Sequence, residues 1–273
     1  MKIIQRFIVL LFFLFLLPIV TGQLPFPNNK IIEKPVPEKA IVYAATPTPD
    51  THMQVTPMQV TPKQPKVLFV YTHSHEAYKP AVQTVSGMEA VYDDQTNIFS
   101  LQQAMINHFQ LNSIEVNVLD MDVQNVMNQT GAKFHEAYKT VRPVLQQELA
   151  TNMYDLVIDF HRDAVGASAT TLITPDMNFA KVAFVVGAEH RGYEANLAYA
   201  EKLNKTLNTI VPGISRGVMI KERKDGDGVY NQDLFHKMLL IELGGIDNTE
   251  EEVLRTVAVL AQAIANTIVS EQL

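Results

Sequence analysis

Beyond residue 66 the chain alternates between two kinds of apolar pattern. Five short runs, Val67–Tyr71, Glu115–Leu119, Leu156–Phe160, Val182–Val186 and Leu239–Leu243, have the length and the Val, Ile, Leu and Phe content of buried strands. Between them lie stretches in which apolar residues return every three or four positions. These predict helices over Asn97–Phe109, Val141–Asn152 and Tyr193–Ile210. The second has Pro143 in its first turn, and the third carries Leu203, Leu207 and Ile210 on one face. A last helix opens with the capping box Thr249-Glu-Glu-Glu252 and turns Val253, Val257, Leu260, Ile264 and Ile268 toward a core. Strands that are apolar throughout need cover on both faces. The fold class is therefore α/β, a mostly parallel sheet flanked by helices, with ligands expected beyond the carboxyl ends of its strands.

The first 66 residues follow other rules. Phe7–Val20 is an apolar run broken only by Pro18 and preceded by Lys2 and Arg6. Fourteen residues match a signal-peptide core and fall short of the roughly 20 that span a bilayer, although Ile3, Ile4 and Gln5 extend the run. Being apolar on all sides, it does not read as a core helix. Thr21-Gly22-Gln23 is a poor cleavage site, so residues 1–22 are expected to stay as a membrane anchor. The basic flank keeps the N-terminus inside and sends the rest to the extracytoplasmic side. Residues 23–66 hold nine prolines and the tandem repeat Met53-Gln-Val-Thr-Pro57, Met58-Gln-Val-Thr-Pro62. Repeated proline denies this segment helix and sheet, which makes it a disordered, extended linker. Residues 67–273 remain for one folded domain.

Composition narrows the chemistry. A net charge of −7 disfavours a nucleic-acid partner, which needs a basic face. There is no cysteine, so disulfides, thiolate metal sites and cysteine nucleophiles are excluded. Any metal must be held by His, Asp or Glu, which suits a catalytic rather than a structural zinc.

Three strand ends carry the candidate groups. After the first strand come His73 and Glu76, an H-x-x-E pair on a turn. After Leu156–Phe160 comes His161, two residues beyond Asp159. Inside the last strand lies Glu242, followed by Gly244-Gly245. Two imidazoles and one carboxylate leave a fourth tetrahedral position open, as a hydrolytic Zn2+ site requires. Glu242, among Leu, Ile and Gly, would have a raised pKa and serve as general base. Each has a blander reading: a strand-end His is often a hydrogen-bonded structural residue, and Glu242 could pair with Arg162 or Arg216. His52, His108, His135, His190 and His236 lack any partner pattern and read as surface or core.

Six sequence blocks occur in an order that resembles the stage II sporulation protein P family from Lys66 to the C-terminus. They are Tyr71-Thr-His-Ser-His-Glu-Ala-Tyr78, Asp159-Phe-His-Arg-Asp-Ala164, Ala183-Phe-Val-Val-Gly187, Pro212-Gly-Ile-Ser-Arg-Gly217, Tyr230-Asn-Gln-Asp-Leu234 and Leu240-Ile-Glu-Leu-Gly-Gly245. The resemblance implies a phosphorylase/hydrolase-like fold of the zinc amidase type. It implies an N-acetylmuramoyl-L-alanine amidase, also cutting peptide cross-links, that acts on peptidoglycan in septal wall remodelling during sporulation and engulfment. The implied partners are stage II sporulation proteins D and M. On this pattern His73 and His161 are zinc ligands and Glu242 is the catalytic acid/base. Glu76 is the preferred third ligand and Asp94 its alternative. The family commonly has a His near the place of Tyr71 and another polar residue at His75, so His75 competes as a ligand. Arg162, Arg216, Tyr230 and Asn231 are candidate substrate contacts, with ion pairing or packing as the plainer reading; Asp163 and Gln232 stand beside them. Two other functions stay open: a wall-binding scaffold without turnover, and a zinc carboxypeptidase acting on free peptides.

Overall fold

The computed structural model describes residues 64–272. The anchor expected over 1–22 and the linker as far as residue 63 lie outside the described residues. The strands are β1 (Lys66–Val70), β2 (Glu115–Val118), β3 (Leu156–Asp163), β4 (Thr171–Ile173), β5 (Asn178–Ala180), β6 (Val182–Gly187), β7 (Ser215–Lys221) and β8 (Met238–Gly245). Six of them form one sheet in the order β2-β1-β3-β8-β6-β7, while β4 and β5 pair as a separate antiparallel hairpin. Within the sheet β6 runs antiparallel to β8, and every other neighbouring pair is parallel. The fold is thus the mostly parallel α/β arrangement that the apolar runs predict, with one reversal they do not reveal.

Among the described residues six α-helices lie between the strands and a seventh follows the last one: α1 (Lys79–Ser86), α2 (Gln102–Leu111), α3 (Val123–Thr130), α4 (Ala137–Thr151), the single turn α5 (Ala167–Thr170), α6 (Tyr193–Ile210) and α7 (Glu250–Gln272). On one face of the sheet α2, α6 and α7 bury Met105, Phe109, Leu203, Leu207, Val257, Leu260 and Ile264 against Phe69, Phe160, Leu239 and Ile241. Phe69 stands edge-on to Phe109 and Phe160, with ring centroids 4.8 and 4.9 Å away. On the other face α3 and α4 set Val123, Met127, Val141 and Leu145 on Leu68, Val70 and Val157. Each of these side chains contributes about 1.5–3 kcal/mol through burial. The last helix opens as expected: Thr249 Oγ1 accepts from the Glu252 amide, and a Glu252 carboxylate oxygen accepts from the Thr249 amide.

Some boundaries differ from expectation. The helix predicted to open at Val141 begins at Ala137 after a 3₁₀ turn at Phe134–Glu136, which puts Pro143 inside α4 rather than in its first turn. The missing amide leaves the carbonyl of the exposed Lys139 to solvent, so the break is tolerated. The stretch predicted as a helix from Asn97 starts with a 3₁₀ turn at Phe99–Leu101 before α2.

The topology selects a place for chemistry. The chain leaves β1 for β2 on one side and later returns to β3 on the other. A crevice therefore opens beyond the carboxyl ends of β1 and β3.

Candidate active site

Strand alternation decides which groups meet in that crevice. In β3, Ile158 and Phe160 face the α2, α6 and α7 side, so Asp159 and His161 face the side of α3 and α4. In β8, Ile241 and Leu243 face the first side, so Glu242 shares the second with His161, its direct cross-strand partner. A tight turn after β1, closed by a hydrogen bond from the Glu76 amide to the His73 carbonyl at 3.0 Å, delivers His73 and Glu76 to the same place. The His73 and His161 ring centroids lie 5.4 Å apart. A carboxylate stands near each ring nitrogen of His161: Glu76 Oε2 is 3.7 Å from Nδ1, and Asp159 Oδ2 is 3.1 Å from Nε2. Both carboxylates are themselves fixed. Asp159 accepts from the Thr72 amide at 2.9 Å and the Thr72 hydroxyl at 2.7 Å, and Glu76 accepts from the Arg162 amide at 2.8 Å.

The electrostatics separate these groups into distinct states. Burial, reinforced by the charge of His161, lowers the His73 pKa to about 3, so this imidazole is neutral. Burial acts to lower His161 as well, but Asp159, then Glu76 and Glu242, outweigh it and hold the pKa at about 9. Burial raises Glu242 to about 7. Four atoms here are buried without a hydrogen-bond partner: His73 Nδ1, His161 Nε2, Arg162 Nε and Glu242 Oε2. The approach of His161 Nε2 to Asp159 is close enough for ion pairing but misses hydrogen-bond alignment. As the side chains stand, no three His, Asp or Glu among the described residues converge on one point as ligands. The donor chemistry nonetheless fits zinc. Two imidazoles and a carboxylate share one crevice, and buried polar atoms without partners are costly unless something absent satisfies them.

The other candidates fall elsewhere. His75 and Asp94, the alternative ligands, line a cavity of about 320 Å³ together with Tyr92, Asp93, Gln124, Asn128 and Phe134. The His75 Nε2 is held by Asp122 at 2.9 Å. Arg162 is buried and tied to the carbonyls of Val91 and Asp163, with its guanidinium 5.6 Å from the Tyr92 ring centre. Arg216 pairs with Asp163 at 2.6 Å. Asn231 bridges Arg142 and the Tyr138 carbonyl, and Gln232 bonds the backbone of β6 at Val185 and Gly187. Tyr230 stands edge-on to Tyr138 at 5.3 Å. Residues that sequence reasoning left without a role border the site: Phe134 stacks on His73 at 4.3 Å, and Tyr138 stacks on His161 at 6.2 Å. Their sequence signal is slight, two aromatics in Phe134-His-Glu-Ala-Tyr138, and it gains meaning only when α4 is docked beside β3.

The chain is similar to several solved structures, all at low identity. The CwlD amidase from Clostridioides difficile in complex with the GerS lipoprotein is 11% identical, with 76% of this chain and 99% of that one covered at a TM-score of 0.47. The N-acetylmuramoyl-L-alanine amidase from Clostridium difficile 630 is 13% identical, covering 77% and 97% at 0.42. A metallo-carboxypeptidase from Burkholderia cenocepacia is 11% identical, covering 79% and 60% at 0.45. In sequence, the chain is 31% identical over 231 residues to stage II sporulation protein P of Bacillus subtilis (strain 168). The match takes in 84% of this chain but spans 58% of the length of that relative. The profile of the family described as Stage II sporulation protein P matches residues 28–265, and the chain belongs to that family.

Proposed function

We propose that this chain hydrolyses peptidoglycan during sporulation, cutting the amide bond between muramic acid and L-alanine, with Zn2+ held by His73, Glu76 and His161. One observation carries the reading: His73 Nδ1 and Glu242 Oε2 are buried without hydrogen-bond partners on either side of His161, in a member of this family. Zinc, when bound, polarises a carbonyl and makes water more acidic. The protein's own groups do the rest. Neutral His73 offers a lone pair without prior loss of a proton. Asp159, 3.1 Å from His161 Nε2, would orient that ring through the nitrogen turned away from the metal, as carboxylates do for ligating imidazoles. Glu242, with a pKa of about 7, takes a proton from the attacking water and returns it to the leaving amine.

The reading includes an extracytoplasmic location, retention by the N-terminal segment, cleavage of peptide cross-links and action beside stage II sporulation proteins D and M. These rest on the family and on the sequence of residues 1–66.

The test uses the full chain on isolated wall sacculi with zinc supplied. Stem peptides should appear, and Glu242→Gln should release them about 100-fold more slowly. Bound zinc, measured by elemental analysis, should fall in His73→Ala and His161→Ala. Undiminished metal in both variants rejects the site. Sacculi bound without release of peptide point instead to a wall-binding scaffold, and release from free peptides alone to a carboxypeptidase.

A further inference from the structure

Tyr138 is held more firmly than a filler aromatic requires. Its ring stacks on His161, with planes 19° apart, and stands edge-on to His73 at 5.6 Å. Tyr230 closes another flank. The backbone is fixed as well, because Asn231 Nδ2 donates to the Tyr138 carbonyl at 2.9 Å and Arg142 Nη1 donates to Asn231 Oδ1 at 2.9 Å. The ring therefore borders both candidate imidazoles. Its hydroxyl makes no hydrogen bond among the described residues, and the residue as a whole is half-buried. Two other tyrosines near the ends of β1 behave differently. The Tyr71 hydroxyl is buried against Met105 Sδ, and that of Tyr78 donates to the Leu243 carbonyl at 2.7 Å.

Phenylalanine would supply the same stacking, so the hydroxyl asks for a separate reason. The site as described has imidazoles for a metal, a carboxylate for proton transfer, and two more carboxylates that accept. Among the remaining groups, the Arg162 guanidinium is held by the carbonyls of Val91 and Asp163, which leaves the Tyr138 phenol as the hydroxyl donor without a bonded partner beside the imidazoles. A phenol donates a hydrogen bond at neutral pH, since its ordinary pKa is near 10. A donor aimed at an oxyanion inside a partly dry site is among the strongest single contributions to catalysis.

We propose that the Tyr138 hydroxyl donates a hydrogen bond to the carbonyl oxygen of the scissile amide as that oxygen becomes an oxyanion. This inference rests on the hydrolase reading above. Water adds its oxygen to the carbonyl carbon and gives one proton to Glu242. The carbon–nitrogen bond then breaks and the amine leaves with that proton, while Tyr138 keeps its own. Nothing is oxidised or reduced.

The test is Tyr138→Phe in the full chain, with a soluble muramoyl-peptide as substrate. The kcat should fall about 100-fold, with KM within about twofold and both zinc content and melting temperature unchanged. A readout without turnover uses Glu242→Gln as the background. There, adding Tyr138→Phe should leave affinity for the uncleaved muramoyl-peptide unaltered and weaken a tetrahedral phosphonamidate analogue about 100-fold. An active parent whose Tyr138→Phe variant has the same kcat overturns this inference alone. So does loss of zinc or of melting temperature in Tyr138→Phe, which would make the residue structural. A parent that cleaves nothing sinks the hydrolase reading, and this inference with it.

Discussion

Asp122 joins two segments that the sequence keeps apart. Its carboxylate accepts from the Asn125 amide at 3.1 Å, capping α3, from the Ser74 hydroxyl at 2.7 Å, and stands 2.9 Å from His75 Nε2. Ser74 in turn accepts from the Gln124 amide at 3.0 Å, so the turn that carries His73 and Glu76 is stitched to the start of α3. No spacing rule links His75 to a partner 47 positions away, which is why the sequence left it open as a ligand. Burial alone would raise the Asp122 pKa, but hydrogen bonds from His75, Ser74 and Asn125 outweigh it and hold the pKa below the ordinary 3.8. A carboxylate depressed in the fold stabilises it above pH 3.8, and that contribution is lost as pH falls through the folded value. About a third of this side chain is exposed, so the ionic part is modest, under about 1 kcal/mol. Asp122→Ala should therefore cost about 1–2 kcal/mol at pH 7, cap included, and less toward pH 3. Urea denaturation at several pH values checks this; a penalty independent of pH would contradict it.

Among the elements, those with strong periodicity were legible and those made by context were not. The strands β1, β3, β6 and β8 are buried on both faces, and their sequences say so in apolar runs broken by polar groups of the site, Asp159 and His161 in β3 and Glu242 in β8. Edge strand β7 is only partly buried along Ser215–Lys221, so its Ser-Arg-Gly-Val-Met-Ile-Lys sequence gives no such run. The helices α1 and α3 have eight residues each, too short for a clear period; Gly87 and Gly131 end them in the left-handed conformation. The loop before β8 depends on a close backbone approach. A Cβ at Gly187, the last residue of β6, would stand 2.5 Å from the Gly228 carbonyl oxygen and 2.8 Å from its carbon. Both are backbone atoms, so the loop would have to move, and with it Tyr230, which packs on Tyr138. Gly187→Ala should destabilise the domain by about 1–3 kcal/mol and expose the 222–236 region to proteolysis. Thermal melts and limited digestion measure both. An unchanged melting temperature would show that the contact carries no load.

For the molecule as a whole, α7 shows how composition misleads without packing. By length and apolar content it passes as a membrane span, yet half of it is buried and Val253, Val257, Leu260, Ile264 and Ile268 belong to the main core. Leu260→Ala should cost about 2–5 kcal/mol by urea denaturation, since it opens a cavity in a fully buried layer. A loss under about 1 kcal/mol would mean that α7 does not seal the sheet as described. By itself the sequence determined the α/β class, the capping box at Thr249 and the strand ends where His73, His161 and Glu242 lie. Those features are local, fixed by the period of apolar residues and by side chains close along the chain. Only the tertiary structure decided that β6 runs against β8, that His75 is bound to Asp122, that Arg216 is paired with Asp163, and that Tyr138 stacks on His161 and stands edge-on to His73. Each depends on which elements become neighbours, and that is settled by the packing of two sheet faces, not by any interval along the chain.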